Sequence, residues 1–334
     1  MTLKVGSGVD FVPDRDMIEL SGKVILVTGG TGGLGKAVVL ALVKKNPSKI
    51  YLTARNPSKY QDLVDEIQQE MPNTRLNEIL HLLECDLGDL KTIQSAAHEV
   101  LQTPSPKLDI IICSGGVMFS SPSLTKDGYE IQFGTNHMSH ALLIKLLLPL
   151  LQNSSDGRIS IFTSAGFGLH PSGGILFDSL HTTQEKEIRL ATRWQLYSQS
   201  KLANLLYAAE LARRHPRVTS VAVHPGEIYT PGMASLGWTD RFILSAINLN
   251  KFMTPEEGSR NALWSVTAPL FKDQKKVGDV KEVGDERVDG RGFVVNGAYY
   301  EPIGAPGKHM RQSTDQDLAE RLWEWTEKEL EGFN

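Results

Sequence analysis

Short runs of β-branched residues alternate along the chain with longer segments of helical periodicity. The runs predict seven strands: Lys23 to Thr28, Ile50 to Ala54, Ile79 to Cys85, Leu108 to Cys113, Arg158 to Ser164, Thr219 to His224 and Gly292 to Val295. The periodic segments predict seven helices, at about Gly33 to Lys45, Lys59 to Glu70, Leu90 to Gln102, Gly128 to Leu151, Gln195 to Arg214, Pro255 to Val266 and Thr314 to Glu331. This alternation predicts an α/β fold, a doubly wound parallel sheet of seven strands with helices on both faces.

Two segments near the C-terminus have distinct patterns. Residues 272–291 are charged and poor in large apolar side chains, which predicts a surface loop. In the last helix, at residues 314–331, Leu318, Leu322 and Trp325 recur with helical spacing, so this helix is expected to cover the domain through one face. Ser313 is the predicted cap of that helix.

Composition excludes several classes of protein. The 334 residues are 40% hydrophobic and 22% charged, with a formal net charge of −4, which is typical of a globular chain and excludes a disordered or fibrous one. No basic block is present to neutralise phosphates, so no nucleic-acid partner is expected. Cys85 and Cys113 suggest neither a disulfide framework nor a metal site. Without an apolar run long enough to anchor it in a membrane, the protein is expected to be cytoplasmic.

A glycine cluster follows the first predicted strand and leads into the first helix. Glycines allow the backbone to turn sharply and approach a ligand, and the helix N-terminus attracts a pyrophosphate. Gly29, Gly33 and Gly35 do not have the spacing of the three-glycine dinucleotide fingerprint, and no P-loop ending is present. The pattern therefore favours a dinucleotide site, with a merely tight strand-to-helix turn as the alternative.

Arg55 follows the second predicted strand, where a carboxylate would accept hydrogen bonds from the adenosine ribose of NAD. No carboxylate is present in the sequence Ala54-Arg55-Asn56. A guanidinium suits a phosphate monoester, so NADP is favoured over NAD. The alternative interpretation is a solvated loop arginine.

Tyr197 and Lys201 are four residues apart in a helical pattern, which places both on one face. A neighbouring ammonium is expected to lower the pKa of a phenol, as a general acid and base acting on an alcohol or ketone requires. Ser164 ends the fifth predicted strand, where side chains point into the ligand crevice. It lacks the elbow of a nucleophilic serine, so hydrogen bonding to a substrate oxygen is its predicted use. A surface pair and a strand-end hydroxyl are the alternatives.

Six motifs occur in order along the chain. They are Thr28-Gly29-x-x-x-Gly33-x-Gly35, Asp86-Leu87, Asn136-His137-x-x-His140, Ser164, Tyr197-x-x-x-Lys201, and His224-Pro225-Gly226 followed by Thr230. Over about residues 21–300 the chain resembles the short-chain dehydrogenases and reductases, in the single-domain branch of the retinol dehydrogenases. The resemblance implies one Rossmann-like oxidoreductase domain at residues 21–334, after an extension at residues 1–20.

The resemblance also implies a role for each matching residue. Tyr197 would be the general acid and base, Lys201 would lower its pKa and hold the nicotinamide ribose, and Ser164 would orient the substrate oxygen. Asn136 would interrupt its helix and position a water that relays protons to Lys201. The implied cofactor-binding set is Gly29, Thr31, Gly33, Leu34, Gly35, Arg55, Asp86, Leu87, Cys113, Gly115, Tyr197, Lys201, Pro225, Gly226, Ile228 and Thr230.

Within that set, Asp86 would bind the adenine amine, while Pro225, Ile228 and Thr230 would flank the nicotinamide carboxamide. Cys113 departs from the family, which usually has an asparagine there that helps to bind the adenosine ribose and ties neighbouring strands. Because a thiol forms only weak hydrogen bonds, this replacement is expected to lower cofactor affinity.

In the resembling family, residues at about 230–255 form a flap over the substrate. Here the flap is rich in Met, Leu, Phe and Trp, which suggests a lipophilic ligand, although these side chains could instead pack the flap onto the core. The two histidines of the third motif, His137 and His140, are interpreted as structural.

The resulting prediction is an NADP-dependent oxidoreductase, a ketoreductase that interconverts a lipophilic ketone or aldehyde and its alcohol by hydride transfer. A step in the biosynthesis of a small terpenoid-like or polyketide-like product, and a homodimer, are part of this hypothesis. A non-redox epimerase or dehydratase of the same superfamily and a catalytically silent dinucleotide-binding scaffold are the alternatives.

Overall fold

The computed structural model describes residues 8–228, 252–271 and 292–333. Its strands are β1 (Val24–Val27), β2 (Lys49–Ala54), β3 (Leu80–Glu84), β4 (Ile110–Cys113), β5 (Gly157–Phe162), β6 (Val218–Val223), β7 (Tyr299–Glu301) and β8 (Ala305–Pro306). They form one sheet in the order β3-β2-β1-β4-β5-β6-β7-β8. The first seven pair in parallel, as predicted, and β8 adds a short antiparallel edge to β7.

Helices connect the strands. The described α-helices are α1 (Pro13–Asp16), α2 (Gly33–Val43), α3 (Pro57–Glu70), α4 (Leu76–Ile79), α5 (Leu90–Leu101), α6 (Ile131–Phe133), α7 (Ser139–Asn153), α8 (Thr192–Arg214), α9 (Pro255–Thr267) and α10 (Gln316–Glu329). The seven predicted helices are all present, with ends that shift by a few residues. A π-helix at Gly134–Met138 separates α6 from α7, so the helix predicted at residues 128–151 is interrupted.

The position predicted for the seventh strand was wrong. Val294 forms a single isolated bridge to Leu270, and the strand itself begins at Tyr299, which pairs with Ala222 of β6. Between the two, the chain turns at Gly297, where φ is +83°. Because both segments are short and apolar, their composition did not distinguish the strand from the bridge segment that precedes it.

The predicted cap of the last helix was also wrong. Ser313 lies in a preceding 3₁₀ turn, and α10 starts at Gln316. Asp315 caps it, because its carboxylate accepts a hydrogen bond from the Leu318 N–H at 3.0 Å. Leu322 of this helix is fully buried, so the helix does cover the domain.

The core consists of two apolar layers, one on each face of the sheet. Side chains alternate along β4: Ile110 and Ile112 pack with α2, α3 and α9, whereas Ile111 and Cys113 pack with α5, α7, α8 and α10. From the predicted N-terminal extension, Phe11 is buried in the first of these layers. Because both faces are covered, the strand residues are almost uniformly apolar.

Some predictions fall on residues outside the described ones. These are the loop at 272–291, most of the flap at 230–255, and Thr230. Within the part of the chain that the structure covers, no helix is long and apolar enough to span a membrane.

Candidate active site

The candidate site lies at the carboxyl edge of the sheet, where the strand order reverses between β1 and β4. Ligands of doubly wound folds bind at such a reversal, because adjacent crossovers leave a crevice there. The glycine cluster follows β1, Gly115 follows β4, Ser164 follows β5 and Pro225 follows β6. The structure therefore brings segments that are far apart in sequence to one edge.

The turn after β1 has the geometry of a dinucleotide cradle. Gly29 and Gly33 have φ values of +65° and +49°, which favour glycine. A Cβ on Gly29 would lie 2.9 Å from the Cα of Gly115, and a Cβ on Gly35 would collide with the Gly29 carbonyl. Thr31 and Leu34 lie on the same turn and are partly exposed. The glycines thus allow two loops and a helix to meet closely.

Helix α2 begins directly after this turn. Within the described residues no side chain caps its first turn, so its N–H groups remain available to a negatively charged ligand. The cradle and the open helix start fit the pyrophosphate of a dinucleotide.

The residues predicted to bind adenosine follow β2 and β3. Arg55 is exposed just after β2. The Asp86 carboxylate accepts a hydrogen bond from the Gly88 N–H at 3.0 Å, which holds its own loop. Leu87 packs tightly against Gly115, because a Cβ added to Gly115 would lie 2.5 Å from the Cδ1 of Leu87. These three residues border the crevice on the β2 side of the reversal.

Cys113 has a different placement from the rest of the predicted cofactor set. It is 1% exposed and packs in the apolar layer beneath α8, where burial raises the pKa of its thiol. Only its backbone can therefore face a ligand at this edge.

Tyr197 and Lys201 lie on one face of α8, as predicted from their spacing. The Lys201 Nζ is 5.5 Å from the centroid of the Tyr197 ring and donates a hydrogen bond to the Phe162 carbonyl at 3.1 Å. The Ser164 hydroxyl accepts from the Gly166 N–H at 3.1 Å and interacts with the Tyr197 phenol, whose pKa it lowers. The structure therefore brings the predicted serine, tyrosine and lysine together.

Burial dominates the ionisation of this group of residues. It lowers the pKa of Lys201 to about 8 and raises the pKa of Tyr197, an effect that the nearby Glu227 carboxylate increases. The interaction with Ser164 acts in the opposite direction, because it stabilises the phenolate. The sequence predicted that the lysine would lower the pKa of the tyrosine. In the structure the pKa is raised instead, because desolvation of the phenol has the largest effect.

Asn136 lies in the middle of the π-helix and is fully buried. Its Nδ2 donates to the Val117 carbonyl and to Ser200 Oγ, both at 2.9 Å, and its Oδ1 accepts from the Val117 N–H at 2.8 Å. The side chain therefore ties the loop after β4 to α8. Both of its amide hydrogens are engaged, and the backbone carbonyl of Asn136 accepts a separate hydrogen bond from His140.

His140 links that carbonyl to the glycine turn. Its Nδ1 donates to Asn136 O at 2.9 Å, and its Nε2 lies 2.9 Å from Thr28 Oγ1. Burial lowers the pKa of His140 to about 4, so the ring is neutral and Thr28 donates to Nε2. Thr28 in turn accepts from the Gly115 N–H at 2.9 Å. His137, equally buried, lies 3.0 Å from Thr326 Oγ1.

The segment after β6 closes the other side of the crevice. Pro225 and Gly226 are partly exposed, and Gly226 has a φ of +89°. Ile228 is buried against Gly258 of α9, and a Cβ added to Gly258 would collide with the Ile228 side chain. Gly258 also lies next to Leu34. The nicotinamide end of the predicted site thus packs against the start of α2.

The sequence interpretation missed two aromatic residues beside Tyr197. Phe119 stacks on Trp194 with ring centroids 4.0 Å apart, and its edge meets the Tyr197 ring at 5.0 Å. Trp194 precedes Tyr197 by three residues on the same helix, a spacing that places both on one face. Nothing in the sequence near Phe119 indicates its position.

Comparisons with known proteins agree with the fold. A sequence model described as short chain dehydrogenase matches residues 23–176. An uncharacterized oxidoreductase of Schizosaccharomyces pombe is 32% identical over 329 residues, 95% of this chain and 87% of that protein. Retinol dehydrogenase 14 of Mus musculus is 30% identical over 282 residues, 79% of each chain.

The chain belongs to the short-chain dehydrogenase/reductase family. It is accordingly an NAD(P)-dependent oxidoreductase. Among solved structures, an uncharacterized protein from Mycobacterium paratuberculosis has a TM-score of 0.68 at 22% identity, covering 97% of this chain and 98% of its own. The L-sorbose reductase of Gluconobacter frateurii, complexed with NADPH and L-sorbose, has a TM-score of 0.60 at 15% identity, covering 88% and 99%. These two likenesses show the fold.

Proposed function

We propose that this protein is an NADP-dependent oxidoreductase that interconverts a lipophilic ketone or aldehyde and its alcohol. The observation that carries the proposal is the meeting of Ser164, Tyr197 and Lys201 at the carboxyl edge of the sheet, beside the glycine cradle. When bound, the dinucleotide supplies or accepts the hydride, and the protein's residues handle the proton and the geometry.

The phenol of Tyr197 gives its proton to the carbonyl oxygen during reduction and takes it back during oxidation. Ser164, which interacts with that phenol, orients the substrate oxygen toward it. Lys201 stabilises the phenolate that forms when the proton leaves, because its ammonium lies 5.5 Å from the ring centroid. This arrangement needs the tyrosine proton to be held until the substrate arrives, which its raised pKa achieves.

NADP is favoured over NAD because Arg55 is exposed after β2, in a sequence without a carboxylate. A guanidinium there can pair with the additional phosphate of NADP. NAD, which lacks that phosphate, would therefore bind more weakly than NADP.

A lipophilic substrate is supported by exposed apolar residues near the site. Leu169, in the 3₁₀ turn that Ser164 caps, is 57% exposed, and Met310 is 50% exposed. Met310 covers Gly168, the neighbour of Leu169 in that turn, so both exposed apolar side chains belong to or contact the turn that begins at Ser164. A ketoreductase step in small-molecule biosynthesis, a homodimer and a cytoplasmic location belong to the same proposal.

Replacing Tyr197 with Phe tests the chemistry. Turnover of carbonyl compounds, followed by NADPH absorbance, should fall below detection while NADPH binding persists, because only the proton is lost. Tyr60→Phe is the matched control, since that hydroxyl donates to the Leu80 carbonyl at the far side of β3. Retained turnover in the Tyr197 variant would exclude the assigned acid and base. Wild-type protein that binds NADPH without any turnover would favour the silent scaffold, and conversion without net NADPH consumption would favour the epimerase or dehydratase.

Arg55→Asp tests the cofactor preference. The ratio of kcat/KM for NADPH to that for NADH should fall by at least about tenfold, since a charge-assisted phosphate contact is replaced by repulsion. An unchanged ratio would remove Arg55 from the phosphate site.

A further inference from the structure

Three aromatic rings meet at the start of α8. Phe119 stacks on the indole of Trp194, with centroids 4.0 Å apart and planes inclined by 29°. The edge of the same ring meets Tyr197 at a centroid distance of 5.0 Å and an angle of 66°. Phe119 is 6% exposed, whereas Trp194 and Tyr197 remain partly exposed. Phe119 thus contacts both a partly exposed indole and the phenol of the site.

Phe119 is held in a conformation that phenylalanine rarely adopts. Its φ is +51°, in the left-handed region where side chains other than glycine are strained. Such strain persists only where the surroundings impose it, and it is concentrated at binding sites. Two residues earlier, Val117 is fixed through both its N–H and its carbonyl by Asn136. The loop therefore presents the ring at a defined position beside Tyr197.

The placement of these rings limits what can lie beside the reacting carbonyl. A substrate oxygen must approach the Tyr197 phenol and Ser164, so the group attached to the carbonyl must pass close to the aromatic rings at the start of α8. A flat aromatic ring can stack on them or meet them edge-on and gains the additional stabilisation of an aromatic pair, which a puckered saturated ring of the same size does not gain from its C–H contacts. The surface of Trp194 and Phe119 next to Tyr197 is named the aromatic wall.

We propose that this aromatic wall determines specificity, by favouring carbonyl compounds with a flat unsaturated ring over saturated analogues of equal size. The inference rests on the proposed function and extends it to the class of substrate. Trp194 is the partly exposed member of the wall, and Phe119 contacts both its indole and the phenol ring.

The test compares 2-naphthaldehyde with decahydro-2-naphthaldehyde, each reduced with NADPH. The ratio of their kcat/KM values should fall about three- to tenfold in Phe119→Leu and in Trp194→Leu, the range expected for one aromatic pair. Intrinsic differences in reactivity between the two aldehydes cancel, because each variant is compared with the wild type. An unchanged ratio in both variants would overturn the proposal.

Trp323→Leu is the matched control. This tryptophan stacks on Tyr207, with centroids 5.1 Å apart, ten residues further along α8 and so about 15 Å from Tyr197. Trp323→Leu should keep the wild-type ratio of the two kcat/KM values. If the ratio fell as much in this variant as in Trp194→Leu, the effect would come from a general loss of packing, and the proposal would be wrong. Phe119→Gly guards against misfolding, because glycine tolerates a φ of +51°. It should lose selectivity as Phe119→Leu does.

A binding measurement separates this inference from the proposed function. Calorimetry with NADPH present compares 2-naphthamide with its decahydro analogue, neither of which the proposed reaction reduces. Preferential binding of the flat amide, lost in Phe119→Leu, would support the wall even if no aldehyde were turned over. Equal binding of both amides by the wild type, or no binding of either, would overturn the aromatic wall. If both aldehydes were nevertheless reduced, the proposed oxidoreductase function would still hold.

Discussion

Lys201 should reduce the stability of the folded protein, and its replacement by methionine tests this. The side chain is 8% exposed, and burial lowers its pKa from an ordinary 10.5 to about 8. Since one pKa unit corresponds to about 1.4 kcal/mol, keeping this lysine protonated in the folded state costs about 3 kcal/mol. Methionine fills a similar volume without a charge. The Phe162 carbonyl stays paired, because Asn204 Nδ2 also donates to it at 3.1 Å.

The cost should depend on pH in a defined direction. Below pH 8 the lysine is protonated in both the folded and the unfolded chain, so the full cost is present. Between pH 8 and 10.5 only the unfolded chain holds the proton, and the wild type becomes more stable relative to the variant as pH rises. Above 10.5 both states are neutral, and the electrostatic cost is gone. Lys201→Met should therefore be more stable by about 3 kcal/mol at pH 7, with a gain that shrinks at high pH.

Urea unfolding of both proteins at pH 7 and pH 10.5 measures this difference, since other titrating groups are common to both and cancel. Lys145→Met is the control: that lysine is partly exposed and pairs with Glu327 at 3.0 Å, so its loss should slightly destabilise the fold. Equal stability of Lys201→Met and wild type at pH 7, or a gain that does not change with pH, would refute the reasoning. The variant should also be inactive, which would show that the site keeps a destabilising group for its chemistry.

Two further predictions concern the edges of the site. Glu227→Gln removes a negative charge that raises the pKa of Tyr197, so the pH–rate profile for alcohol oxidation should move to lower pH, less so in high salt; a profile that stays in place at low salt would contradict this. Gly35→Ala should lower the free energy of unfolding, measured with urea, by about 1–3 kcal/mol, because the added Cβ would collide with the Gly29 carbonyl. The same variant should bind NADPH more weakly in calorimetry. Gly32→Ala, whose Cβ would meet nothing within 4 Å, should remain close to wild type, and equal losses in the two variants would argue against the close contact.

Local patterns were enough to predict much of the fold. β-Branched runs alternating with helical periodicity predicted six of the seven parallel strands and the seven long helices, because burial on both faces makes each strand continuously apolar. The same patterns misplaced the seventh strand at residues 292–295. Two short apolar runs flank Gly297, and only the pairing of Tyr299 with Ala222 decides which of them joins the sheet.

The candidate site shows the same division. The spacing of Tyr197 and Lys201 already placed them on one helical face, since that relation is local. Their ionisation was not predictable, because the desolvation that raises one pKa and lowers the other depends on everything packed around α8. The core position of Cys113 likewise follows from which face of β4 it occupies, and only the assembled sheet sets that.

The sequence by itself therefore determined the elements, the family and the residues of the predicted chemistry, because these depend on periodicity and short spacings. Tertiary structure alone decided which distant residues meet at the carboxyl edge. Phe119 contacts the Tyr197 ring although it lies 78 residues earlier in the chain. The Asn136 side chain holds the loop that carries Phe119 through its hydrogen bond with Val117. Contacts across such separations are set by packing and desolvation of the whole domain, which no local pattern encodes.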